Sequence, residues 1–312
     1  MGLGAELCFR WSRRKVLNRR QGQAGQNAAT FDASAYESWR RQELERQFVR
    51  HFSASSLEGL DVLDFGCGTG ALSFLAVRDG ARSVLGVEID PERAAAAKRQ
   101  AAESDSGPQP RFLLLDDPRR IPVDDGSFDR VLCFDVLEHV MDPQAALDEW
   151  WRVLRPGGRV LIWWVPWWHP YGPHIESLVP IPWCHVLFSE KTLLETCARI
   201  YEMPEFQPRV WDRDASGEKR PNKWRSLTSL PGVNKLSMRR FETMLRSKGW
   251  RVARRERHGF SSGVIAPLTR VFTRLPFLRE FVTSCVVYEL VKPPEGGGAS
   301  GSSASSGSAQ KG

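Results

Sequence analysis

Five short apolar segments alternate with helical segments between residues 61 and 165, and this alternation constrains the fold more than any other feature of the chain. Strands that are apolar along their whole length lie in parallel sheets covered on both faces. Strands that alternate with helices are typical of such sheets. The predicted fold class is therefore α/β, with a doubly wound, mostly parallel sheet. The five predicted strands are 61–65, 83–88, 111–115, 129–134 and 159–165.

Helix signals separate these strands and continue after them. Asp90 and Asp142 each precede a proline, which is typical of a helix N-cap followed by a first turn. Two later apolar segments, 250–257 and 283–291, bring the predicted sheet to seven strands. Residues 166–188 are rich in Pro, Trp and His without a clear period, and they are predicted to form an inserted cap after the fifth strand. The predicted helices are 36–52, 71–78, 90–102, 142–154, 189–201 and 237–248.

Composition divides the chain into an arm, one domain and a tail. Residues 1–35 are predicted as a basic, flexible N-terminal arm, and residues 36–294 as a single folded domain. Residues 295–312 are almost wholly Gly, Ser and Ala, which cannot build a core, so a disordered tail is predicted there. Within the domain the predicted parts are a cofactor half at 55–165, cap and substrate elements at 166–248, and the final strands at 249–292.

Cysteine usage and hydropathy place the chain in a reducing compartment. The six cysteines are scattered without a CxxC pair, which favours free thiols and a cytoplasmic location over a disulfide framework or a zinc ribbon. We also expect no secretory signal, because the basic N-terminus lacks an apolar core. No run of about 18 apolar residues occurs, so we expect no transmembrane segment.

Positive charge is concentrated in one region of a chain whose net charge is +7. Residues 209–258 contain fifteen Lys and Arg against five Asp and Glu. Such a surface attracts phosphate, carboxylate or an anionic membrane. A charge run is also the ordinary composition of a solvated surface. Peripheral contact with an anionic surface therefore stands beside a purely solvating role.

A glycine-rich turn follows the first predicted strand and precedes a helix. Residues 62–70 read VLDFGCGTG, with glycines at 66, 68 and 70. Glycine permits positive φ and close approach of a ligand to the backbone, and the helix N-terminus supplies free N–H groups. A G-x-G pattern by itself does not identify the ligand, because dinucleotide enzymes use a similar turn. The spacing here lacks the third glycine of that dinucleotide motif.

Three carboxylates follow successive predicted strands and narrow the choice of ligand. Asp64 precedes the glycines, Glu88 ends the second strand, and Asp117 follows the third. The carboxyl ends of parallel strands meet at one edge of the sheet, where open α/β folds bind ligands. An acid at 64 repels pyrophosphate but suits a methionine-like ammonium, while acids at 88 and 117 can meet ribose hydroxyls and an adenine amino group. The set predicts a cationic adenosine ligand.

These motifs resemble those of the class I S-adenosylmethionine-dependent methyltransferases, in the broad group that includes the ubiquinone-biosynthesis O-methyltransferases. The resemblance covers about residues 60–165 and keeps the family's order of motifs. It implies S-adenosyl-L-methionine as cofactor and the Rossmann-like methyltransferase fold, with 283–291 as an antiparallel last strand. The motifs are VLDFGCGTG (62–70), GVEIDP (86–91), DDPRRIPVDDGSFDRVL (116–132), FDVLEHVMDP (134–143) and VLRPGGRVLI (153–162).

The same resemblance assigns roles to the residues of the cofactor half. Glu88 would hold the ribose, with Ile89 against the adenine, and Phe134 would lie beside the sulfonium end. Asp117 and Pro118 would face the adenine edge, although proline lacks the free N–H that the family often has there. The predicted cofactor-binding residues are Asp64, Gly66, Cys67, Gly68, Gly70, Glu88, Ile89, Asp117, Pro118 and Phe134.

The residues that would handle a proton are less sharply defined. His139 follows the fourth strand in the sequence Asp135-x-x-Glu138-His139, and His169 and His174 lie in the predicted cap. Each is a candidate catalytic base, since a base must take up the acceptor's proton. The resemblance also leaves open a divalent ion at the 135–139 set, because magnesium is known at matching positions in the ubiquinone group. A metal-free site is our prediction.

The cap is predicted to line the substrate pocket, because it leaves the sheet at the edge where the methyl group would lie. Aromatic side chains there can wall a pocket for a flat or apolar molecule. The alternative is that they only pack the cap onto the sheet. A zinc site from His and Cys residues of the cap lacks standard spacing. The predicted pocket residues are Trp167, Trp168, Tyr171 and His185.

The predicted function is methyl transfer to a small, apolar or aromatic acceptor, with O-methylation favoured. The first alternative is methylation of RNA or protein through the basic region 209–258. Nucleic acid is disfavoured, because residues 134–137 read Phe-Asp-Val-Leu where amino-methylating DNA enzymes have Asn/Asp-Pro-Pro-aromatic. The second alternative is a non-catalytic module that binds S-adenosylmethionine, whose mark would be a broken glycine turn or a missing ribose acid. Neither mark is present.

Overall fold

The strands of the computed structural model lie close to the predicted ones. In chain order they are β1 (Asp61–Phe65), β2 (Ser83–Glu88), β3 (Arg111–Leu114), β4 (Phe128–Phe134), β5 (Leu154–Trp164), β6 (Arg251–His258) and β7 (Cys285–Val291). The structure describes residues 3–22, 32–52, 57–103, 107–214, 216–260, 272, 275–276 and 278–294. The glycine- and serine-rich tail predicted at 295–312 lies outside the described residues.

The seven strands form one sheet in the order β3-β2-β1-β4-β5-β7-β6. The pairs within β1 to β5 are parallel, whereas β7 runs antiparallel to both β5 and β6. The prediction of a doubly wound, mostly parallel sheet with an antiparallel last strand is confirmed. The strand order reverses between β1 and β4, which is where folds of this kind open a ligand crevice.

Helices alternate with the strands and use the predicted caps. Asp90 accepts from the backbone N–H of Glu92 and Arg93, and Asp142 accepts from that of Ala145. The helices are α1 (Leu3–Gly22), α2 (Ala33–His51), α3 (Ala71–Arg78), α4 (Pro91–Ala102), α5 (Pro143–Val153), α6 (Cys184–Leu187), α7 (Glu190–Glu202) and α8 (Met238–Lys248). Shorter helical turns lie at Leu137–His139, Val210–Asp212, Lys223–Arg225 and Arg279–Val282.

Hydrophobic cores lie on both faces of the sheet. On one face Phe48 of α2 and Leu72 of α3 pack against alternate side chains of the central strands. On the other face Trp150 of α5 and Phe241 of α8 pack against the remaining set, with Trp164 of β5 among them. Successive side chains of a strand point to opposite faces, so each strand contributes to both cores. Burial on both faces explains why the strands have nearly continuous apolar sequences.

A third core lies apart from the sheet, in the segment that connects β5 to α8 (residues 165–237, the connecting segment). Val179, Cys197 and Ile200 are fully buried in it, and Cys8 of α1 joins them. The predicted flexible arm therefore differs from the structure over Leu3–Gly22, which is helical and packs on α7. The Arg199 guanidinium lies 3.5 Å above the Phe9 ring, which adds a cation–π contact between the two helices.

Strand β5 begins five residues before its predicted start. Residues 154–158 read Leu-Arg-Pro-Gly-Gly, which is a turn signal, yet they continue the strand. Gly157 N–H donates to Lys292 O, and Lys292 N–H donates to Gly158 O, at 2.8 and 2.9 Å. This pairing with the chain beyond β7 holds the glycines extended. All six cysteines are free.

Candidate active site

A cavity of 860 Å³ opens at the carboxyl ends of β1, β2 and β4, beside the point where the strand order reverses. Its wall is formed by the glycine turn, by the residues that follow β2, β3 and β4, and by one face of α2. Of the ten predicted cofactor-binding residues, the wall contains Gly66, Cys67, Gly68, Glu88, Ile89, Asp117, Pro118 and Phe134. Asp64 and Gly70 lie behind it.

The glycine turn requires glycine for two different reasons. Gly66 has φ 73°, and a Cβ placed there would lie 2.5 Å from the Val136 side chain, so packing excludes any larger residue. Gly68 has φ 56°, and a Cβ there would meet nothing within 4 Å. Gly68 therefore leaves backbone exposed to the cavity. Gly70, at φ 91°, is the N-cap of α3 and starts that helix.

Glu88 connects the glycine turn to the end of β2. Its Oε2 accepts from Gly68 N–H at 2.8 Å, and its Oε1 accepts from the N–H groups of Ile89 and Asp90 at 2.7 and 3.0 Å. Three backbone donors thus hold the carboxylate at the cavity wall in one orientation, although Glu88 itself is only 7% exposed. A carboxylate held in this way is preorganised to accept hydrogen bonds from a diol.

Asp64 lies behind the glycine turn. It is 3% exposed, and its Oδ2 accepts from Ser73 Oγ at 2.6 Å. Burial raises the pKa of Asp64 to about 6, with a further contribution from the nearby Glu88 carboxylate. Its place on the methionine side of the site stays a prediction, because the carboxyl group does not lie on the cavity wall.

The acids after β3 form the outer rim of the cavity. Asp117 accepts from Arg119 through the backbone N–H and Nε, both at 2.9 Å. These hydrogen bonds with Arg119 lower the pKa of Asp117. The neighbouring Asp116 and Pro118 also lie on the wall. Asp116 and Asp117 are therefore both accessible to an adenine base in the cavity.

Two neighbouring carboxyl groups, those of Asp135 and Glu138, follow β4. Asp135 has φ 57°, a left-handed conformation that is rare outside glycine and is concentrated at functional sites. Burial acts to raise the pKa of Asp135, but the Arg40 guanidinium, which donates to it, and His174 outweigh burial and lower that pKa. Burial and the Asp135 carboxylate raise the pKa of Glu138 well above its ordinary value. The pKa values of these two neighbouring groups are thus shifted in opposite directions.

Two of the three predicted catalytic histidines meet at this point. The rings of His139 and His174 lie edge to face, with centroids 5.1 Å apart, and His139 is on the cavity wall. His139 Nδ1 is hydrogen-bonded to Gly232 O. Removal of His174 from solvent by the surrounding atoms, with the neighbouring His139, lowers the pKa of His174. A neutral imidazole at this place can accept a proton.

The connecting segment positions this loop. Asn234 Nδ2 donates to Leu137 O and to Val140 O, both at 2.6 Å, and Asn234 N–H donates to Glu138 O at 2.9 Å. Trp167 N–H donates to Leu236 O at 3.0 Å, which ties the start of the segment to its end. The segment therefore acts on the site through the backbone of the 137–140 turn and through His174 and the Gly232 carbonyl, which both contact His139.

The remaining cap residues lie away from the cavity wall. His169 accepts from Tyr171 N–H at 3.1 Å, and burial lowers the pKa of His169 to about 4. Trp167 and Trp168 contact the ring of His185, with centroids 4.7 and 5.9 Å away. Within the described part of the chain, neither ring nitrogen of His185 has a hydrogen-bond partner. Their role as a substrate pocket stays a prediction.

One face of α2 lies on the cavity wall, and no motif in the sequence predicts it there. Its residues repeat every three to four positions, as one face of a helix must. Only the direction of that face, which is set by packing of Phe48 into the core, places them here. They are Tyr36, Glu37, Arg40, Arg41 and Leu44.

The cavity fits S-adenosylmethionine. The cavity volume lies within the range of about 300–1,000 Å³ that is common for ligand pockets. Open backbone at Gly68 and the fixed carboxylate of Glu88 provide close approach and a ribose acceptor. Negative charge exceeds positive charge on the wall, which favours a cationic ligand. Seven acids (Glu37, Glu88, Asp90, Asp116, Asp117, Asp135, Asp142) stand against four arginines (Arg40, Arg41, Arg93, Arg119).

Comparison with known proteins identifies relatives over the same region. A family model described as a methyltransferase domain matches residues 63–162. The ubiquinone biosynthesis O-methyltransferase of Psychrobacter cryohalolentis is 34% identical over 125 residues, which cover 39% of this chain and 48% of that protein. The protein of the same name from Xylella fastidiosa strain M23 is 36% identical over 107 residues, which cover 34% and 42%. The chain thus spans about half the length of the curated relatives it matches.

A solved S-adenosylmethionine-dependent methyltransferase from Mesorhizobium loti is 18% identical at a TM-score of 0.44, covering 75% of this chain and 92% of that one. The matched residues 63–162 run from β1 to β5 and contain the glycine turn, Glu88 and the 135–139 loop. Residues 63–162 of this chain thus match a methyltransferase domain, and its curated relatives are ubiquinone biosynthesis O-methyltransferases.

Proposed function

We propose that this chain transfers a methyl group from S-adenosylmethionine to a hydroxyl group of a small, apolar or aromatic acceptor. One observation carries the proposal. A single cavity contains both the Glu88 carboxylate, fixed on the glycine turn, and the Asp135 and His139 side chains that follow β4. Glu88 can accept hydrogen bonds from the ribose of the cofactor. Asp135 and His139 lie where a proton released by the acceptor could be taken up. The name of the relatives, ubiquinone biosynthesis O-methyltransferase, supports oxygen as the acceptor atom.

Different residues on the wall would contact different parts of the cofactor. The cofactor, when bound, supplies a methyl group on a positively charged sulfur. Glu88 would accept hydrogen bonds from the ribose hydroxyls, and the exposed backbone of Gly68 would admit the methionine portion. Phe134 and Val136 would exclude water beside the reacting atoms. Orientation and desolvation of this kind account for a large part of catalysis without a covalent intermediate.

A proton must leave the acceptor as the new bond to carbon forms. His139 is the group on the wall that is best placed to take it, with His174 behind it. The Asp135 carboxyl group, which accepts from Arg40 and whose pKa is lowered, would favour a proton on the neighbouring His174.

The assay that tests the function uses the purified chain with S-adenosylmethionine carrying a labelled methyl group. Acceptors would include a catechol, an alkyl-substituted hydroquinone, an aniline and total RNA. We expect labelled methyl ethers from the hydroxyl compounds, identified by mass spectrometry, and more product from the apolar hydroquinone. Label in the aniline or the RNA, with none in any hydroxyl compound, would contradict the proposal.

Replacing His139 by glutamine is expected to reduce kcat about 100-fold, which is within the usual contribution of a general base. The Kd for S-adenosylmethionine, measured by calorimetry, should change less than about 3-fold, since His139 acts on the acceptor.

His169→Gln is the matched control, because His169 lies in the same segment as His174 but contacts Tyr171 and Phe260 instead of the cavity. It should retain kcat within about 2-fold. Equal losses in the His139 and His169 variants would show that the effect comes from packing of the connecting segment, and the proton-transfer role would then be withdrawn.

The basic region supports contact with RNA or protein less than its composition indicates. Ion pairs within the protein neutralise many of its positive charges. Glu242 alone meets both Arg255 and Arg257, at 2.9 and 3.4 Å. Other pairs are Arg225 with Glu202, Lys235 with Glu190, Lys248 with Asp148 and Arg254 with Glu256. The arrangement favours a solvated surface, as the composition also allowed.

Helix α1 is better suited to contact with an anionic surface. Leu3, Leu7 and Trp11, spaced four apart on one side of the helix, are 89%, 58% and 43% exposed. Arg10 and Arg14 are exposed beside them. Helices that lie in a membrane interface combine an apolar face with Lys and Arg on the adjoining polar face. In the described residues, no helix is long and apolar enough to span a membrane.

We expect the chain to bind vesicles made of phosphatidylcholine and phosphatidylglycerol. We expect it not to bind vesicles made only of phosphatidylcholine. Leu7→Glu with Trp11→Glu should weaken binding about 10-fold in a cosedimentation assay, since each removes apolar contact and adds repulsion. Val49→Glu, at a site on α2 that is 61% exposed, is the control and should bind as the unchanged chain does. Equal binding by all three proteins would exclude α1 as the contact.

A further inference from the structure

Three side chains that are distant in the sequence meet on the sheet edge, away from the cavity described above. His51 is the last residue of α2, and Glu256 and His258 belong to the edge strand β6. Glu256 and His258 are two positions apart, so they point to the same face of the strand. None of the three lies on the wall of the 860 Å³ cavity, and the methyl-transfer proposal does not use them.

The donor atoms of these residues converge on one point. Glu256 Oε2 lies 3.2 Å from His258 Nε2 and 3.8 Å from His51 Nδ1, and the three donor atoms all lie within 4.8 Å of one another. Ligands at about 2.0–2.2 Å from a tetrahedral zinc ion are roughly 3.3–3.6 Å apart. The observed separations bracket that value. Among the residues that the structure describes, this His/Glu group is the one that meets the geometric requirement for a metal.

Arg254 holds the carboxylate in the orientation that a metal needs. Its Nε and Nη2 lie 2.7 and 2.6 Å from Glu256 Oε1, which leaves Oε2 for the two histidines. Arg254 Nη1 also donates to the backbone carbonyl of His51, so one guanidinium ties both elements together. Ligand carboxylates are commonly oriented by such outer hydrogen bonds.

The two imidazoles have different access to solvent. The side chain of His51 is 3% exposed, whereas those of Glu256 and His258 are 35% and 29% exposed. The ring centroids lie 4.8 Å apart with the planes inclined by 57°, which is a converging arrangement and not a parallel stack. A metal ion can therefore enter from the side of β6 and keep a water molecule as its fourth ligand.

We propose that His51, Glu256 and His258 bind a divalent transition-metal ion of the zinc type, which fastens the end of α2 to the edge of the sheet. Two imidazole nitrogens and one carboxylate oxygen are the donor set that zinc shares with cobalt and nickel. Because α2 also carries Tyr36 and Arg40 on the cavity wall, the ion would hold that wall in place from the far end of the helix.

The test measures metal binding directly, with the metal alone as the probe. The full chain is freed of metal with a chelator, titrated with Zn²⁺ by calorimetry, and titrated separately with Co²⁺ while its visible absorption is followed. We expect one equivalent of Zn²⁺, cobalt bands typical of four-coordinate nitrogen and oxygen ligation, and a higher Tm with Zn²⁺ present. Absence of saturable Zn²⁺ binding below 100-fold molar excess would overturn the proposal.

Two variants separate a metal site from a simple His–Glu hydrogen bond. Glu256→Gln and His258→Gln keep hydrogen-bonding groups but remove one ligand each, and we expect each to bind Zn²⁺ at least 10-fold more weakly and to lose the Tm increase. His185→Gln, which alters a histidine outside the cluster, should keep both. Undiminished binding in the Glu256 and His258 variants would reject the assigned ligands, and circular dichroism verifies that each variant is folded.

Discussion

Replacing Gly68 by valine is expected to weaken binding of S-adenosylmethionine at least 100-fold. Gly68 has φ 56°, which a β-branched residue adopts only with strain of about 1–2 kcal/mol. A side chain added at Gly68 would project into the cavity, so the methyl groups of valine would occupy space that the cofactor needs. Because a Cβ at this position meets nothing within 4 Å of the protein, the fold itself should survive. Calorimetric titration with S-adenosylmethionine measures the effect.

Gly59→Val is the matched control for backbone strain. Gly59 has φ 69° and also has nothing within 4 Å of a built Cβ, but it precedes β1 and lies outside the cavity. We expect a lowered Tm with the cofactor Kd unchanged. If the Gly59 and Gly68 variants lose affinity to the same extent, the loss at Gly68 reflects strain alone, and the assignment of the turn as the cofactor's contact fails.

Replacing Glu88 by alanine is expected to have a comparable effect on affinity, by another route. Hydrogen bonds to a charged group contribute about 1.5–3 kcal/mol each, so losing two to the ribose hydroxyls should raise the Kd by 100-fold or more. The N–H groups of Gly68, Ile89 and Asp90 would also lose their acceptor, and the Tm should fall even without cofactor. Calorimetry and thermal unfolding measure the two effects separately.

Glu88→Gln separates the charge from the shape. The amide keeps one acceptor oxygen and the length of the side chain, so we expect about a 10-fold loss of affinity, close to the worth of one weakened hydrogen bond. Glu92→Ala, which removes a carboxylate from the exposed first turn of α4, is the control and should bind normally. A Glu88→Ala variant that binds as tightly as the unchanged chain would refute the ribose role.

Strand positions were the most predictable part of the fold, because their signals are local. The limits of β1 and α3 agree with the sequence analysis residue for residue. An apolar run between a helix and a glycine turn contains all the information that such an element requires. The start of strand β5 was not predictable from local signals. Its Pro-Gly-Gly stretch forms a turn by local rules, and only pairing with Lys292, far along the chain, extends it.

The site was predictable to the same extent and for the same reason. Glu88, Asp117 and the glycine turn follow strands whose ends must meet, so their common edge could be foreseen. The wall provided by α2 could not, since its direction depends on packing across the sheet. The group formed by His51 and His258 is still less accessible to sequence reasoning, because the two residues join the end of an early helix to a late edge strand.

The separate core of the connecting segment has a consequence for how the sequence of this chain can diverge. Val179, Cys197 and Ile200 pack with one another and with α1, not with the sheet. Mutations that reshape this segment can therefore accumulate without disturbing the glycine turn. Their effect reaches the 137–140 turn through Asn234, through the Gly232 carbonyl that is hydrogen-bonded to His139, and through the His174 ring beside His139. We propose that the segment also selects the acceptor, so that grafting it between related chains exchanges acceptor preference while the nucleoside end of the cavity keeps its original affinity.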